Sequence, residues 1–279
     1  MSSRSPNGII HGNPVTAYFV LTYTISWAAA LAIILPYWMK GESVPKLSGL
    51  MMFPAMLLGP SIAGIVLTKA IHGTEGLCAL SARMRRIGSV RWLATLVIPP
   101  GLVLAVLFGL KMFGSPAFEP NLFPMGLTFG CMAGFFEEIG WTGFAFPAMR
   151  LRRNPFGSAV SLGLLWAAWH IPVIDYLGAA TPHGKFWLPF LLAFAGAMTA
   201  MRVLICWVYA NTESVLLAQM LHASSTGALA VFSPAHVSAG EEVLWYGVYA
   251  VLLWITVGII VMRWGTALVK ARSATSASR

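Results

Sequence analysis

Charge is what this chain has least of. Of its 279 residues only 10% are Asp, Glu, Lys or Arg, while 58% are hydrophobic; a soluble domain carries about a quarter charged residues. The deficit excludes an ordinary water-driven core and leaves a polytopic membrane protein whose packing follows bilayer rules. Cysteine is nearly as sparse. Cys78, Cys131 and Cys206 have no paired spacing and two of them fall in apolar segments, so neither a disulfide framework nor a CxxC metal site is implied. Acid is scarcer than base, with nine Asp and Glu against eighteen Lys and Arg and a net charge of +9. The basic residues collect in short connections between apolar segments, where they set orientation and touch lipid headgroups. Membrane lipid is therefore an expected partner and nucleic acid is not. Repeats and long polar loops are missing as well, which excludes an attached soluble module.

What the chain has in abundance is apolar windows of about the length needed to cross a bilayer. Eight can be drawn, at 16–38, 51–71, 92–113, 122–149, 158–174, 186–209, 215–232 and 243–264. The expectation is an all-α integral membrane protein with one transmembrane domain over residues 1–279, a catalytic core at about 122–232 and a small polar tail, 271–279, that is disordered. The first window follows a polar start and has no A-x-A-like exit, so it reads as a span rather than a cleaved signal peptide. An even number of spans puts both termini on one side. That side receives Arg4, Lys69, Arg83, Arg85, Arg86, Arg91, Arg150, Arg152, Arg153, Arg263, Lys270, Arg272 and Arg279, and the other receives Lys40, Lys46, Lys111 and Lys185. The split of thirteen to four predicts cytoplasmic termini in the cell (plasma) membrane. Pro60, Pro99, Pro100, Pro147, Pro172 and Pro189 are expected to kink helices, and the small residues of 193–200 to let helices approach closely.

Against this background the polar groups inside the windows stand out: Glu137, Glu138, His170, Arg202 and His222, on the fourth to seventh segments. An ionised side chain at mid-bilayer costs at least ~3 kcal/mol on insertion scales, so something polar must face the adjacent glutamates. At about 1.5 Å per residue, Glu137, His170 and His222 all fall within the hydrocarbon layer, and a shared polar cavity becomes plausible. Taken singly, a buried His ties helices together and a Glu pairs with Arg202. Taken together, two carboxylates and two imidazoles are the inventory that water activation or divalent-metal binding requires.

The surrounding sequences are EEIGWTGFAFP at 137–147, WAAWHIP at 166–172 and LHASSTGA at 221–228. Together and in this order they resemble the CAAX-protease and bacteriocin-processing (CPBP) family of intramembrane endopeptidases, whose pattern is EExxxR, an aromatic-xxxH segment, and HxxxN or HxxxB. The resemblance covers the fourth to seventh segments, about 100 residues. It implies hydrolysis of a peptide bond in a membrane-associated protein or peptide substrate, and a catalytic set of Glu137, Glu138, His170, His222 and Thr226. Glu137 matches the glutamate held to activate water, Glu138 the second glutamate, and His170 and His222 the later motif histidines. Two positions depart from the pattern: Thr142 stands where arginine is usual and Thr226 where asparagine is common. Arg202, the cation within a span, is the candidate replacement for the missing arginine.

Two mechanisms fit these residues. In one, Glu137 is the general base, His170 orients the water, and His222 with Thr226 donates to the oxyanion. In the other, Glu137, His170 and His222 ligate a divalent metal such as zinc and Glu138 takes the water's proton. No organic cofactor is implied. A family member that has lost catalysis and serves as an interaction or immunity protein, and a proton-coupled transporter, are the competing readings. His11, His72, His183 and His236 are expected to have no catalytic role, and Asp175 to lie at the outer interface. Trp38, Trp92, Trp187, Trp245 and Trp264 read as interfacial anchors. Trp141, Trp166 and Trp169 either line a substrate groove or pack the core.

Overall fold

The computed structural model describes residues 12–177 and 182–270. The expected disordered tail, Arg4, His11, Arg272 and Arg279 lie outside the described residues. Within them the chain is helical throughout, without a strand. The helices are α1 (Pro14–Lys40), α2 (Lys46–Met56), α3 (Leu58–Arg85), α4 (Ile98–Phe113), α5 (Gly126–Gly140), α6 (Phe146–Arg150), α7 (Pro155–Trp169), α8 (Ile174–Leu177), α9 (Trp187–Thr212), α10 (Val215–Phe232) and α11 (Ala239–Trp264). The protein is an all-α polytopic membrane protein.

Among the described residues, six helical stretches are long and apolar enough to cross a membrane, and the bent pair α7 and α8, 42° apart, makes a seventh. The remaining segment of the expected eight is divided by a π-helical turn, Trp141–Ala145, so no single helix there reaches the length of a span. Its backbone nevertheless stays right-handed helical from Gly126 to Arg150. The second expected window is shared between α2 and the first half of α3. At Gly73 the chain takes φ 65° and ψ −156°, a conformation open to glycine, and α3 resumes as a basic surface helix ending at Arg85.

Five of the six prolines expected to kink helices fall in the first turn of a helix, and the sixth, Pro172, lies at the 42° bend between α7 and α8. Pro99 and Pro100 occupy the first turn of α4, Pro147 that of α6, Pro60 that of α3 and Pro189 that of α9, where the missing N–H is not needed. Pro172 lies in the short 3-10 turn Ile171–Val173, and the residue before a proline avoids helical geometry, so α7 ends just ahead of it. This break puts His170 at the C-cap of α7.

Helix α5 packs extensively against α10, and glycine makes the close approach possible. A Cβ on Gly130 would come within 2.4 Å of the Ala223 carbonyl oxygen, and one on Gly134 within 2.4 Å of the Gln219 carbonyl oxygen. Small residues every four positions let two backbones meet this way in membranes. One turn beyond Gly134 the same face carries Glu137 and Glu138, so the contact that docks α5 also presents the glutamates to α10. From the other side, the Ser61 hydroxyl donates to the Phe136 carbonyl at 2.5 Å and ties α5 to α3. In α9 the small stretch behaves as expected: Ala197 and Ala200 are fully buried and Arg202 follows them into the centre.

Candidate active site

The two glutamates are both fully buried and have different neighbours. Glu138 is saturated. Arg202 Nη1 donates to both of its oxygens at 2.8 Å, His222 Nδ1 donates to Oε1 at 2.7 Å, and the Thr142 hydroxyl donates to Oε2. Arg202 comes from α9, is itself fully buried, and has its guanidinium over the Trp166 ring, 4.2 Å from the centroid. The cation absent from position 142 is thus supplied by another helix, and Thr142 keeps a hydrogen bond to the same carboxylate.

Glu137 has the opposite arrangement. Its Oε2 accepts from Trp166 Nε1 at 2.6 Å and from Trp141 Nε1 at 3.1 Å, whereas its Oε1 is buried with no partner. Two indole donors hold the carboxylate through Oε2 and leave Oε1 without a hydrogen bond. Trp141 reaches it from one helical turn away across the π-helical segment, and Trp166 reaches it from α7. Both tryptophans are therefore polar partners of the glutamate as well as core residues. The spacing of four between Glu137 and Trp141 was the sequence signal for one of these contacts; nothing in the sequence pointed to the other.

The two histidines are fixed through Nδ1. His170 Nδ1 lies 2.8 Å from the Trp166 carbonyl oxygen; a carbonyl only accepts, so Nδ1 carries the proton and Nε2 has a free lone pair in the neutral ring. In His222, Nδ1 donates to the Glu138 carboxylate, and Nε2 is again the remaining nitrogen. Glu137, Trp166, His170, His222 and Thr226 all line a cavity of about 450 Å³ whose other walls are mainly apolar. That volume lies within the usual range of small-ligand and substrate pockets, about 300–1,000 Å³. The structure thus brings together all five residues of the expected catalytic set, four on the cavity wall and Glu138 behind them.

The metal-ligand set is a different matter. Among the described residues, no three His, Cys, Asp or Glu side chains are gathered closely enough to hold a metal ion. Glu138 is occupied by Arg202 and His222, and that pairing claims one of the two His222 nitrogens. Glu137, His170 and His222 share a cavity, but among the described residues they are not drawn together as a ligand cluster.

Residues 119–228, the stretch that contains every one of these groups, match the family model "Type II CAAX prenyl endopeptidase Rce1-like". Over that stretch the chain is similar to the Rce1-like family. A protein of Methanococcus maripaludis named CAAX prenyl protease 2 is similar to it, with 27% identity over 141 residues. The alignment takes in 46% of this chain and 51% of that protein, so the chain spans about half the length of the curated relative it matches. The matched stretch begins at the connection before α5 and ends within α10; outside it, Lys46, Leu50, Phe53 and Pro54 of α2 and Tyr246 of α11 also line the cavity.

A second polar cluster lies near the cavity mouth. His183 is not a loose loop residue: it is 2% exposed, with Nε2 3.1 Å from Glu242 and Nδ1 3.3 Å from Asp175, and its ring stacks on Phe190. Burial pulls its pKa down, but Glu242 and Asp175 outweigh it and the pKa is raised above the ordinary histidine value. The stabilisation is fully present below about pH 6.5, the ordinary value, and is lost as pH rises through the raised folded pKa. The thermal midpoint in detergent should therefore fall with pH above that range in the native chain, and His183→Gln should flatten the fall. A native profile parallel to that of His183→Gln would remove this role.

Proposed function

We propose that the protein is an intramembrane endopeptidase that hydrolyses a peptide bond of a membrane-associated protein or peptide, with Glu137 as the base that activates water. The observation that carries this reading is the unshared Oε1 of Glu137, a buried carboxylate oxygen without a partner on a residue that lines the same cavity as two imidazoles. A general base needs a free lone pair within reach of the proton it removes, and the indoles of Trp141 and Trp166 keep that oxygen in place.

The chemistry then follows from the donors and acceptors. A water in the cavity donates one hydrogen to Glu137 Oε1 and the other to His170 Nε2, which turns its own lone pair toward the substrate carbonyl carbon. Attack forms the C–O bond and moves one water proton to Glu137. The developing oxyanion is met by the Thr226 hydroxyl and by His222. Because His222 Nδ1–H is committed to Glu138, its Nε2 donates only when the ring carries a second proton. Collapse breaks the C–N bond, and Glu137 returns the proton to the leaving amine. Glu138 does not touch the reacting atoms; it positions His222 and binds Arg202. Each step uses side chains of this chain alone.

The name of the methanococcal relative specifies a prenylated substrate for that protein. For this chain the inference is limited to a peptide bond presented at the membrane. Reconstituted protein should cleave a membrane-anchored reporter peptide in proteoliposomes, and should continue to do so after exhaustive chelation. Solute flux without cleavage would favour the transporter, and tight partner binding without cleavage the interaction protein.

Trp166→Phe tests the orientation of the base. It keeps an aromatic ring for Arg202 and removes the N–H that donates to Glu137. A hydrogen bond to a charged group contributes about 1.5–3 kcal/mol, and about 1.4 kcal/mol corresponds to tenfold in rate. The expected result is a fall in kcat of about tenfold or more with KM little changed. An equal kcat would mean that the indole only fills space.

A further inference from the structure

The two ends of the helical bundle differ in charge. One end is defined by the Arg83–Tyr209 and Arg150–Glu213 hydrogen bonds, the Ser214 hydroxyl on the Arg86 carbonyl, and the Phe156 N–H on the Thr266 carbonyl. Ten of the thirteen basic residues assigned to this side are among the described residues, and the acids with them are Glu75 and Glu213. The other end is defined by Phe123 N–H on the Val231 carbonyl, Lys111 with Glu119, and His183 with Glu242. It holds four lysines and five acids, Glu42, Glu119, Asp175, Glu241 and Glu242. Orientation in bilayers follows Lys and Arg, so the ten-residue end is cytoplasmic.

The catalytic cavity belongs to the other end. Its rim is formed by Lys46, Asn121, Phe123, Tyr176, Ser233 and Ala235, which lie at or beside the connections of the acid-rich end. The cytoplasmic end has its own cavity, lined in part by Arg83, Gly143, Arg150 and Arg152, and the two share no lining residue. Trp141, Phe146, Cys206 and Tyr209, at most 1% exposed, and the Arg202–Glu138 pair fill the bundle.

We propose that the catalytic cavity opens on the extracytoplasmic side of the membrane, so that its substrate is an exported peptide or the outer end of a membrane-spanning segment rather than a cytoplasmic tail. The substrate class rests on the protease reading; the side of access rests on charge and cavity position alone. Apolar groups inside the rim, Leu50, Phe53, Phe129 and Leu177 among them, suit an extended apolar segment descending from the outer surface toward Glu137.

The test is cysteine labelling in intact cells. With Cys78 and Cys131 changed to serine and Cys206 left buried, Ala235→Cys at the rim and Ser81→Cys at the opposite end are each exposed to a membrane-impermeant maleimide. Expected is labelling of Ala235→Cys on intact cells and of Ser81→Cys only after permeabilisation. The reverse pattern, or equal labelling of both, overturns the proposal and leaves the protease reading intact. If Ala235→Cys fails to accumulate, Asn121→Cys reports on the same rim. In a second arm, one reporter peptide is displayed on either face of the membrane in cells. Cleavage of the extracytoplasmic display alone supports the substrate class, and cleavage of the cytoplasmic display overturns it. Labelling as expected with neither display cleaved counts against the protease reading and not against the side of access.

Discussion

Glu137→Gln is expected to lower kcat for reporter cleavage about a thousandfold, within the ~10²–10⁴ contribution of a positioned general base, without lowering the thermal midpoint. The amide has the shape of the carboxylate, and its oxygen can still accept from the Trp141 and Trp166 indoles. What changes is the unpartnered position of Oε1, which becomes an N–H donor that cannot take a proton from water. The discriminating control is Glu138→Gln. That change weakens the contacts to Arg202 and His222 and should lower stability as well as rate, because a saturated carboxylate loses acceptor capacity. Paired measurements of kcat and unfolding in the same detergent separate the two glutamates. If Glu138→Gln abolished cleavage with full stability while Glu137→Gln remained active, the assigned roles would be reversed.

The second large effect concerns stability. Arg202→Leu removes the buried cation opposite Glu138 and leaves that carboxylate with only His222 and Thr142. Breaking one side of a buried ion pair costs about 3–5 kcal/mol, which for a chain of this size corresponds to a drop of about 10 °C in the thermal midpoint. The cost comes mostly from the stranded charge, so the double change Arg202→Leu with Glu138→Gln should recover a large part of it. Arg202→Lys should fall between, since an ammonium supplies the charge without the planar group that lies over Trp166. A midpoint unchanged in Arg202→Leu would show that the pair does not hold the site together. Catalysis should fall with stability in these variants, because Glu138 also orients His222.

These two expectations show why the departure at Thr142 does not disable the site. Within the motif, position 142 is one helical turn from Glu138, and an arginine there would have been visible in the sequence. Arg202 is 64 residues away and reaches Glu138 because α9 packs against α7 and α10, the helices that face the glutamate. A sequence can mark Arg202 as a costly cation in an apolar segment; it cannot say which carboxylate receives it. The same limit applied to His183, which looked like an unremarkable loop residue until the fold placed Asp175 and Glu242 against it. It applied to Trp166 as well, because an indole N–H is unspecific until its acceptor is known. The prolines show the same limit: Pro172 does sit at the bend between α7 and α8, whereas Pro99, Pro100 and Pro189 fall in first turns, and only the helix boundaries say whether a proline interrupts a helix or begins one.

By itself the sequence determined the solvent, the helical class and the short inventory of reactive groups. Those follow from energies that act residue by residue: an apolar chain with few charges needs a bilayer, a bilayer requires internally satisfied backbone, and each intramembrane Glu, His or Arg is too costly to be incidental. The tertiary structure decided the pairings. It gave Glu138 to Arg202 and His222, left one oxygen of Glu137 without a partner, gathered Glu137, His170, His222 and Thr226 on one cavity, and set the mouth of that cavity at the acid-rich end. Those are properties of how helices meet, set at α5 and α10 by glycines that let two backbones touch, and they depend on distances between residues far apart in the chain.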